Sequence, residues 1–594
     1  MWFAASAPDS PLYYWPEVRG PAASPVRQPA RQRPVILSSL TLLAAIDAVD
    51  VCVIGAGPVG LALGLSLARR FRRVLLLESG GDEPDRWAAE LAETELADPG
   101  SHARSGDSIR RGLGGTSRAW GAGCTPYDPI DFRGRSYVPL SAAPISIADI
   151  AKYHAETCNY LGCGGPEFDL GEDPPGSRLR RSGVIRFATQ PDMGKRHRAE
   201  VEASPYLRVC LGSTATRLHL DPGSGKITAV EVRSGDQTTV VRAPVFVLAC
   251  GGIEATRLLL RIQADHPAFL GGPAGPLGRY YMGHVSGYLA RMHFSDRTMG
   301  SHFSFLRSTA CTYFRRRINF APEVLEENRL LNIYFVPGNF PLEDAGMKSG
   351  ALSALHLGLS ARHRSLQYMR HYLPGYVSAP SGNRVKLGCH LLNILADPVG
   401  TGFGLAEILR QRSERGRRPP GLYYPNPGQI FGLRYHSEQL PNPDSRVTLS
   451  QKRDANGVPL PRVDLRFTDP DIDSVVAAHE VLDRLVRDAG WGRLSWMCAR
   501  SEAASYVRSQ ARDGYHQIGL TRMSNSPRDG VVDSNLAVHG LRNLWVASTG
   551  VLPTGGQAHP TFSAVALALR LAEHLSARSE KVSSVANLQP SGGV

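Results

Sequence analysis

Residues 50–79, DVCVIGAGPVGLALGLSLARRFRRVLLLES, decide the fold of this chain. The apolar, β-branched run 51–54 predicts a buried strand, and the turn GAGPVG at 55–60 matches the pattern G-x-G-x-x-G. The run from Leu61 to Arg69 predicts a helix packed on a sheet, and 74–77 predict a second buried strand that ends on Glu78. This order indicates a dinucleotide-binding unit; the alternative is a glycine-rich turn in another α/β unit.

Each glycine of that pattern, the helix that follows and the terminal acid have a physical task. Gly55 allows a tight turn, Gly57 lets the backbone approach a pyrophosphate, and Gly60 lets helix and strand pack closely. The helix N-terminus supplies free N–H groups and about half a positive charge. Glu78 lies 18 positions after Gly60, where a carboxylate can accept hydrogen bonds from an adenosine ribose.

Composition describes an ordinary globular protein. The 594 residues are 42% apolar and 20% charged, and the net charge of +13 comes from 60 arginines against seven lysines. Basic clusters at 69–73, 178–181 and 315–317 are scattered, with no nucleic-acid module beside them. Solvated faces are therefore favoured, and no nucleic-acid partner is expected.

The nine cysteines show no C-x-x-C pair, so the sequence predicts neither a disulfide framework nor a metal site. Residues 1–34 are rich in Pro, Ala and Arg and predict a disordered extension or a start codon placed too far upstream. Val35 to Ile46 resembles a signal-peptide core, but Asp47 and Asp50 interrupt it and it runs into the first strand. The chain is thus predicted to be cytoplasmic, without a membrane span.

Two later stretches extend the nucleotide-binding pattern. Residues 111–121, RGLGGTSRAWG, suit a flat aromatic cofactor touched by backbone, although a plain surface loop is the alternative. Residues 245–252, VFVLACGG, predict another strand of the same sheet followed by a helix. From 265 to 513 the sequence pattern changes to that of short strands and irregular segments, which predicts a separate substrate-facing region. Within it, 410–428 could be a lid or a partner surface, but a solvated loop is favoured.

The C-terminal part holds YHQIGLTRM at 515–523 and PTGGQAHPT at 553–561, followed by a predicted helix from Phe562 to His574. GRYYMGH at 278–284 and PNPDSRV at 441–447 complete an ordered set of motifs. Together they resemble the glucose–methanol–choline (GMC) family of flavoproteins, in the branch that oxidises sugars and cyclitols. The resemblance covers about residues 47–575.

The resemblance implies an α/β fold, α+β overall, with a Rossmann-like FAD-binding domain and a discontinuous substrate-binding domain built on an antiparallel sheet. The implied FAD-binding pieces are 47–120, 201–264 and 514–577, with a cap region at 121–200, the substrate-binding domain at 265–513 and a flexible tail at 578–594.

In the family, a histidine at the position of His516 takes the hydroxyl proton of an alcohol, and a partner at the position of His559 holds the substrate oxygen. The carbinol hydride goes to flavin N5. An alcohol is a poor hydride donor until its proton leaves, and a neutral imidazole can accept that proton near neutral pH.

Further positions are implied to bind the cofactor. They are Gly55, Gly57, Pro58, Gly60, Glu78, Ser79, Arg111, Gly114, Gly115, Thr116, Ser117, Trp120, Gly121, Ala215, Ala249, Gly251, Arg257, Ser548, His559, Pro560 and Thr561.

Two departures from the family pattern matter. Leu520 stands where the family usually has threonine, which leaves a local contact open. Some relatives attach FAD covalently through a histidine in the GGTS loop, but here residues 117–120 are SRAW. Non-covalent FAD is therefore expected.

The expected function is FAD-dependent oxidation of a CH–OH group of a sugar or aminocyclitol, with a role in antibiotic tailoring suggested by resemblance. Oxygen or another acceptor would take the electrons. The alternatives are a steroid or other alcohol as substrate, a non-redox lyase on the same fold, and a non-catalytic flavin-binding protein.

Overall fold

A computed structural model describes residues 36–37, 49–83, 85–296, 298–309, 311–339, 341–360, 387–413 and 419–586. The expectations for 1–34, for most of 35–46 and for the last eight residues of the tail lie outside the described residues.

The strands are β1 (Ile36–Leu37), β2 (Val51–Ile54), β3 (Val74–Leu77), β4 (Glu95–Leu96), β5 (Gly123–Cys124), β6 (Leu179–Arg180), β7 (Val184–Phe187), β8 (Leu207–Cys210), β9 (Thr214–Asp221), β10 (Lys226–Ser234), β11 (Gln237–Val241), β12 (Val245–Leu248), β13 (His284–Phe294), β14 (Phe305–Arg307), β15 (Tyr313–Arg316), β16 (Ile318–Phe320), β17 (Ile333–Gly338), β18 (Ile430–Glu438), β19 (Arg446–Arg453), β20 (Pro459–Asp464), β21 (Gly492–Trp496) and β22 (Leu544–Val546).

The α-helices are α1 (Pro58–Arg69), α2 (Arg86–Glu90), α3 (Ser105–Ser108), α4 (Ala148–Ala151), α5 (His154–Leu161), α6 (Met193–Ala203), α7 (Gly251–Asp265), α8 (Pro322–Glu327), α9 (Gly350–Ser360), α10 (Leu387–Ala396), α11 (Pro398–Ser413), α12 (Asp469–Asp488), α13 (Ala503–Arg508) and α14 (Thr561–Ala586).

A six-stranded parallel sheet has the order β1-β8-β3-β2-β12-β22. Val51 pairs with both Val74 and Val245, so the prediction that 245–248 belong to the same sheet as 51–54 is confirmed. The strands β2 and β3 are buried along their whole length, as expected where helices cover both faces of a parallel sheet. Ligands of such sheets bind beyond the carboxyl ends of the strands.

The helix α1 begins at the glycine turn. Pro58 stands in its first turn, where a missing N–H costs nothing, and Gly57 caps it in an extended conformation. A Cβ atom on Gly60 would lie 1.9 Å from the carbonyl oxygen of Gly55, so only glycine allows this contact between helix and turn. The helix packs against the parallel sheet and the C-terminal helix α14, and all of them contribute to one hydrophobic core.

A six-stranded antiparallel sheet, β21-β13-β18-β17-β16-β6, has a separate core with α12. Leu433 and Tyr435 of β18 point into that core, and the ring of Tyr435 lies 5.4 Å from that of His479 on the helix. Because successive strand residues face opposite sides, Arg434 and His436 lie on the other face. A four-stranded antiparallel sheet, β14-β15-β7-β5, is a further layer. The predicted combination of a Rossmann-like sheet with an antiparallel substrate-side sheet is confirmed.

Two expectations are wrong in part. The region 265–513 contains long helices as well as short strands, and the 20-residue α12 begins with a capping box at Thr468. Residues 410–413 end α11 instead of lying in a solvated loop. Tyr423 and Tyr424 are buried, and Tyr423 stacks on Phe431 at 5.8 Å, because aromatic rings in this stretch find an apolar surface.

The last helix, α14, continues to Ala586, past His574 where the sequence predicted its end, so the first part of the expected tail is helical. Among the described residues, no helix is both long and apolar enough to cross a bilayer.

Candidate active site

A cavity of about 800 Å³ lies between the carboxyl edge of the parallel sheet and the two antiparallel sheets. It brings together most of the residues that the sequence analysis singled out. They are Gly55, Gly57, Pro58, Glu78, Ser79, Arg111, Gly115, Thr116, Ser117, Trp120, Gly121, Ala215, Ala249, Gly251, His516, Ser548, His559 and Thr561.

Four predicted cofactor residues do not line the cavity: Gly60, Gly114, Arg257 and Pro560. The Arg257 guanidinium is buried and forms an ion pair with Asp454 at 2.7 Å, so it fixes the β19–β20 hairpin to α7. Gly114 has a φ of 91°, and a Cβ there would lie 2.6 Å from the amide nitrogen of Gly194. Gly60, Gly114 and Pro560 shape the backbone around the cavity.

The parallel-sheet end of the cavity is lined by bare backbone. Gly57 has no atom within 4 Å of the position that a Cβ would take, whereas a Cβ on Gly55 would lie 2.7 Å from the Ala249 carbonyl oxygen. A Cβ on Gly115 would lie 2.8 Å from the Cα of Gly57. The two loops therefore meet closely, and the space in front of Gly57 stays open.

The Glu78 carboxylate stands at the end of β3, in the cavity wall. It accepts hydrogen bonds from the backbone N–H groups of Ala56 at 2.9 Å, Gly80 at 2.9 Å and Gly112 at 2.8 Å. A carboxylate offers about four acceptor positions. Three are occupied by backbone that also builds the glycine loops, so Glu78 organises these loops and retains limited capacity for a further donor.

At the other end, His516 rests against a buried carboxylate. Its Nδ1 lies 2.9 Å from Asp513 Oδ2 and 3.0 Å from His284 Nδ1. His284 Nε2 lies 3.2 Å from the Gly555 carbonyl oxygen, which can only accept, so Nε2 carries the hydrogen and neutral His284 has a lone pair on Nδ1. The hydrogen of neutral His516 is then on Nδ1, shared between two acceptors, and its Nε2 lone pair remains available.

Asp513 stays ionised at neutral pH. Burial alone would raise its pKa, but the charge interaction and the hydrogen bond with His516 hold the pKa well below its usual range. Its Oδ2 also accepts from the backbone N–H of His284 at 2.7 Å, and its Oδ1 accepts from that of Tyr515 at 2.8 Å. This carboxylate is therefore a fixed anion behind the His516 ring.

His559 lies across from His516, with ring centroids 6.0 Å apart at 72°. Its Nδ1 is buried and has no hydrogen-bond partner among the described residues. Burial, aided by the charges of His516 and Arg434, lowers its pKa well below that of an ordinary histidine, so the imidazole is neutral. A Cβ on Gly123 would touch this ring at 3.5 Å, which makes Gly123 part of its seat.

His436 completes a group of four histidines. Its ring stacks on His559 with centroids 5.2 Å apart and lies 4.1 Å from His284. Its Nδ1 donates to the Gln557 carbonyl oxygen at 2.9 Å. Ring nitrogens of His284, His436 and His516 lie within 4.8 Å of one another, a spacing that also suits a metal ion. The expectation of no metal stays a prediction.

The sequence analysis missed Asp513, His284, His436 and Gly123 as members of the site. His284 belongs to a quoted motif and Asp513 lies three residues before His516, so both had a signal. His436 had none, because it reaches the site from the middle of a strand.

Residues 441–568 match the sequence model of a family described as GMC oxidoreductase. The chain is 24% identical to Paromamine 6'-oxidase from Streptomyces fradiae, over 88% of this chain and 90% of that protein. It is 24% identical to 6'''-hydroxyparomomycin C oxidase from Streptomyces lividus, over 94% and 98%. It is 23% identical to 2-methyl-1,2-propanediol dehydrogenase from Mycolicibacterium austroafricanum, over 90% and 96%. These matches show a GMC oxidoreductase domain at residues 441–568 and, over nearly the whole length of the chain, similarity to proteins named as oxidases and a dehydrogenase.

Proposed function

We propose that the protein is an FAD-dependent oxidoreductase that converts a CH–OH group of a sugar or aminocyclitol-like substrate to a carbonyl group. The observation that carries this proposal is the pair of histidines in one cavity, with the Nε2 lone pair of His516 free and Asp513 behind its ring. The names of the two Streptomyces relatives support the substrate class and a role in antibiotic biosynthesis.

The chain offers a fitting cradle for a dinucleotide. The space in front of Gly57, the N-terminus of α1 and the glycine loop at 112–115 are the features that a pyrophosphate needs. Bound FAD would supply the hydride acceptor of the reaction. No histidine occurs in residues 111–121, which supports non-covalent binding.

The protein's own part is proton handling and orientation. His516 Nε2 accepts the hydroxyl proton of the substrate, and Asp513 keeps the hydrogen of His516 on Nδ1 and stabilises the imidazolium that forms. Asp513 is thus a positioning residue. Neutral His559, on the other side of the cavity, is placed to hydrogen-bond the substrate oxygen.

The electron acceptor is left open by the relatives, whose names include both oxidases and a dehydrogenase. The proposed electron acceptor is oxygen or another acceptor, and the proposed location is the cytoplasm.

The test is the visible spectrum of the purified protein under anaerobic conditions, with sugars, aminocyclitols, sterols and simple alcohols added in turn. Bleaching of the flavin bands by a sugar or aminocyclitol is expected. Bleaching by sterols alone would change the proposed substrate from a sugar or aminocyclitol to a steroid alcohol. A yellow protein that turns over a substrate without bleaching would point to the lyase alternative, and a protein that binds no FAD would refute the proposal.

A further inference from the structure

The substrate end of the cavity is formed by the face of the six-stranded antiparallel sheet that is turned away from α12. In register across β13, β18 and β17 lie Ser286, His436 and Tyr334, and one step along lie Tyr288, Arg434 and Val336. All six residues line the cavity. Arg434 is two residues from His436 on the same face, a separation of about 7 Å along a strand. Arg434 therefore lies about the width of one sugar ring away from the group of histidines.

No described residue neutralises the charge of Arg434. The described residues give its guanidinium no ion pair and no hydrogen bond, and its Nε is buried without a partner. The side chain is partly buried in the wall of the cavity, where its positive charge is poorly screened.

A second arginine faces the same space from the four-stranded sheet. Arg315 donates from Nε to the Phe303 carbonyl oxygen at 3.1 Å and from Nη2 to the Pro337 carbonyl oxygen. Its guanidinium lies over the ring of Phe305 at 5.0 Å. Carbonyl groups and a ring orient this cation but do not cancel its charge. Burial lowers the pKa of Arg315 to about 10, and the charge of Arg434 acts in the same direction.

The described carboxylates that line the cavity come from elements other than the two antiparallel sheets. Those of the described residues that line the cavity are Glu78, Asp107, Glu254 and Asp513. Three of the four have partners: Glu78 has backbone amides, Glu254 has Arg111 at 3.2 Å, and Asp513 has His516. The fourth, Asp107, lies on α3 beside the glycine loop. In the described part of the chain, no carboxylate enters the cavity from either antiparallel sheet.

We propose that the alcohol oxidised here carries a carboxylate or phosphate group that Arg434 binds, with Arg315 adding to the field, and that ammonium-bearing aminocyclitols are poor substrates. This rests on the proposed function and narrows its substrate class to acidic sugars or polyols. A planar guanidinium binds an oxyanion through two parallel hydrogen bonds, whereas an ammonium group in the same place would be repelled. The hydroxyl groups of Tyr288 and Tyr334, on the same wall, suit the neutral hydroxyls of such a substrate.

The experiment compares related compounds on the FAD-loaded enzyme: glucose, glucosamine, gluconate, glucuronate, glucose 1-phosphate and glucose 6-phosphate. Two readouts are used, the anaerobic rate of flavin bleaching and calorimetric binding. At least one acid or phosphate is expected to exceed glucose in the second-order rate constant of flavin bleaching and to exceed glucosamine by about 10- to 100-fold. A preference for sugar acids over phosphates, or the reverse, identifies which oxyanion is bound.

The variant R434Q is expected to lower the ratio of anionic to neutral efficiency by about 10- to 100-fold, with partial recovery in R434K. The control R462Q changes an arginine on the exposed side of β20 and should leave this ratio unchanged. Loss of FAD from R434Q would assign the arginine to the cofactor and overturn the proposal.

The two proposals fail differently. If glucosamine bleaches the flavin faster than every acid and phosphate, the proposed function stands and the anionic substrate class is refuted. If nothing bleaches the flavin but gluconate or glucose 6-phosphate binds calorimetrically and R434Q abolishes that binding, the anion site stands and the redox function is in question. Absence of binding by every anion refutes the site.

Discussion

The two ends of the cavity are built in different ways. The cofactor end is lined by backbone and small residues from a few continuous stretches, mainly 55–59, 111–121 and 249–251. The substrate end is lined by side chains that alternate along strands from two antiparallel sheets, such as Tyr288, Arg315 and Arg434. The first construction suits a ligand of one fixed shape, as the proposed cofactor is. The second can change its chemistry one side chain at a time without moving the backbone.

The largest effect is expected at the proton-accepting group. H516A should retain FAD, because His516 lies at the substrate end, but flavin reduction by substrate should slow by about 10²- to 10⁴-fold. Stopped-flow absorbance measures that rate, and FAD content is read from the same spectrum.

The matched control is H219A, which changes a histidine of β9 that does not line the cavity. Near-wild-type reduction in H516A would remove His516 from the mechanism, and loss of FAD would show that the two ends are not separable.

The next effect concerns the buried ion pair between Arg135, which lies between β5 and α4, and the six-stranded antiparallel sheet. Arg135 forms two hydrogen bonds of 2.7 Å with Glu438 of β18, and both side chains are almost fully buried. R135M leaves the carboxylate buried without its partner, so the free energy of unfolding should fall by about 3–5 kcal/mol. Denaturant unfolding of the FAD-loaded protein measures it.

R133M removes a nearby arginine that pairs with Glu326 on the surface, and it should leave the unfolding midpoint close to wild type. Equal midpoints for R135M and R133M would mean that the buried pair does not stabilise the folded protein.

Substitutions at two glycines of the motif 55–60 distinguish an effect on folding from an effect on cofactor binding. G60A should lower the free energy of unfolding by about 1–3 kcal/mol, because the new Cβ collides with the Gly55 carbonyl. G57A should change it by less than about 0.5 kcal/mol without FAD, because no atom lies near its Cβ, yet should weaken FAD binding.

Fluorescence titration with FAD measures the affinity for FAD, and denaturant unfolding of the FAD-free protein measures the free energy of unfolding. Full FAD affinity in G57A would mean that the pyrophosphate lies elsewhere.

The smallest effect is a pH dependence of stability. Burial, with the charges of Asp128 and Glu438, raises the pKa of Asp131 to about 8. The folded state then binds a proton that the unfolded chain has released above about pH 4, so stability falls as pH rises towards 8. The loss from this group should be about 1 kcal/mol between pH 6 and pH 7.

D131N should flatten this dependence, as followed by the melting temperature at both pH values, whereas D236N in an exposed turn should not. A wild-type protein whose stability rises over this interval would contradict the raised pKa.

The same difference in construction explains what the sequence could predict. The parallel sheet and the glycine loops were predicted because each depends on residues close together in the chain, and the two histidines were predicted because the motifs around them resemble those of the GMC family. His436 and Arg434 could not be found, since alternation along β18 acquires meaning only when β13 and β17 pair beside it. Arg257 was predicted to bind the cofactor, but its side chain turns to Asp454, a partner almost 200 residues away that no local pattern indicates.

On β18, Arg434, His436 and Glu438 occupy alternate positions of one strand: a proposed substrate contact, a member of the histidine group, and half of the buried ion pair. A shift of the whole strand by one residue would turn all three away from their neighbours at once. Substitution at position 434 alone would leave the other two in place. We therefore expect evolution to conserve the length of this strand but to tolerate substitution at position 434. A library randomised at 434 would be the economical route to new substrate preferences.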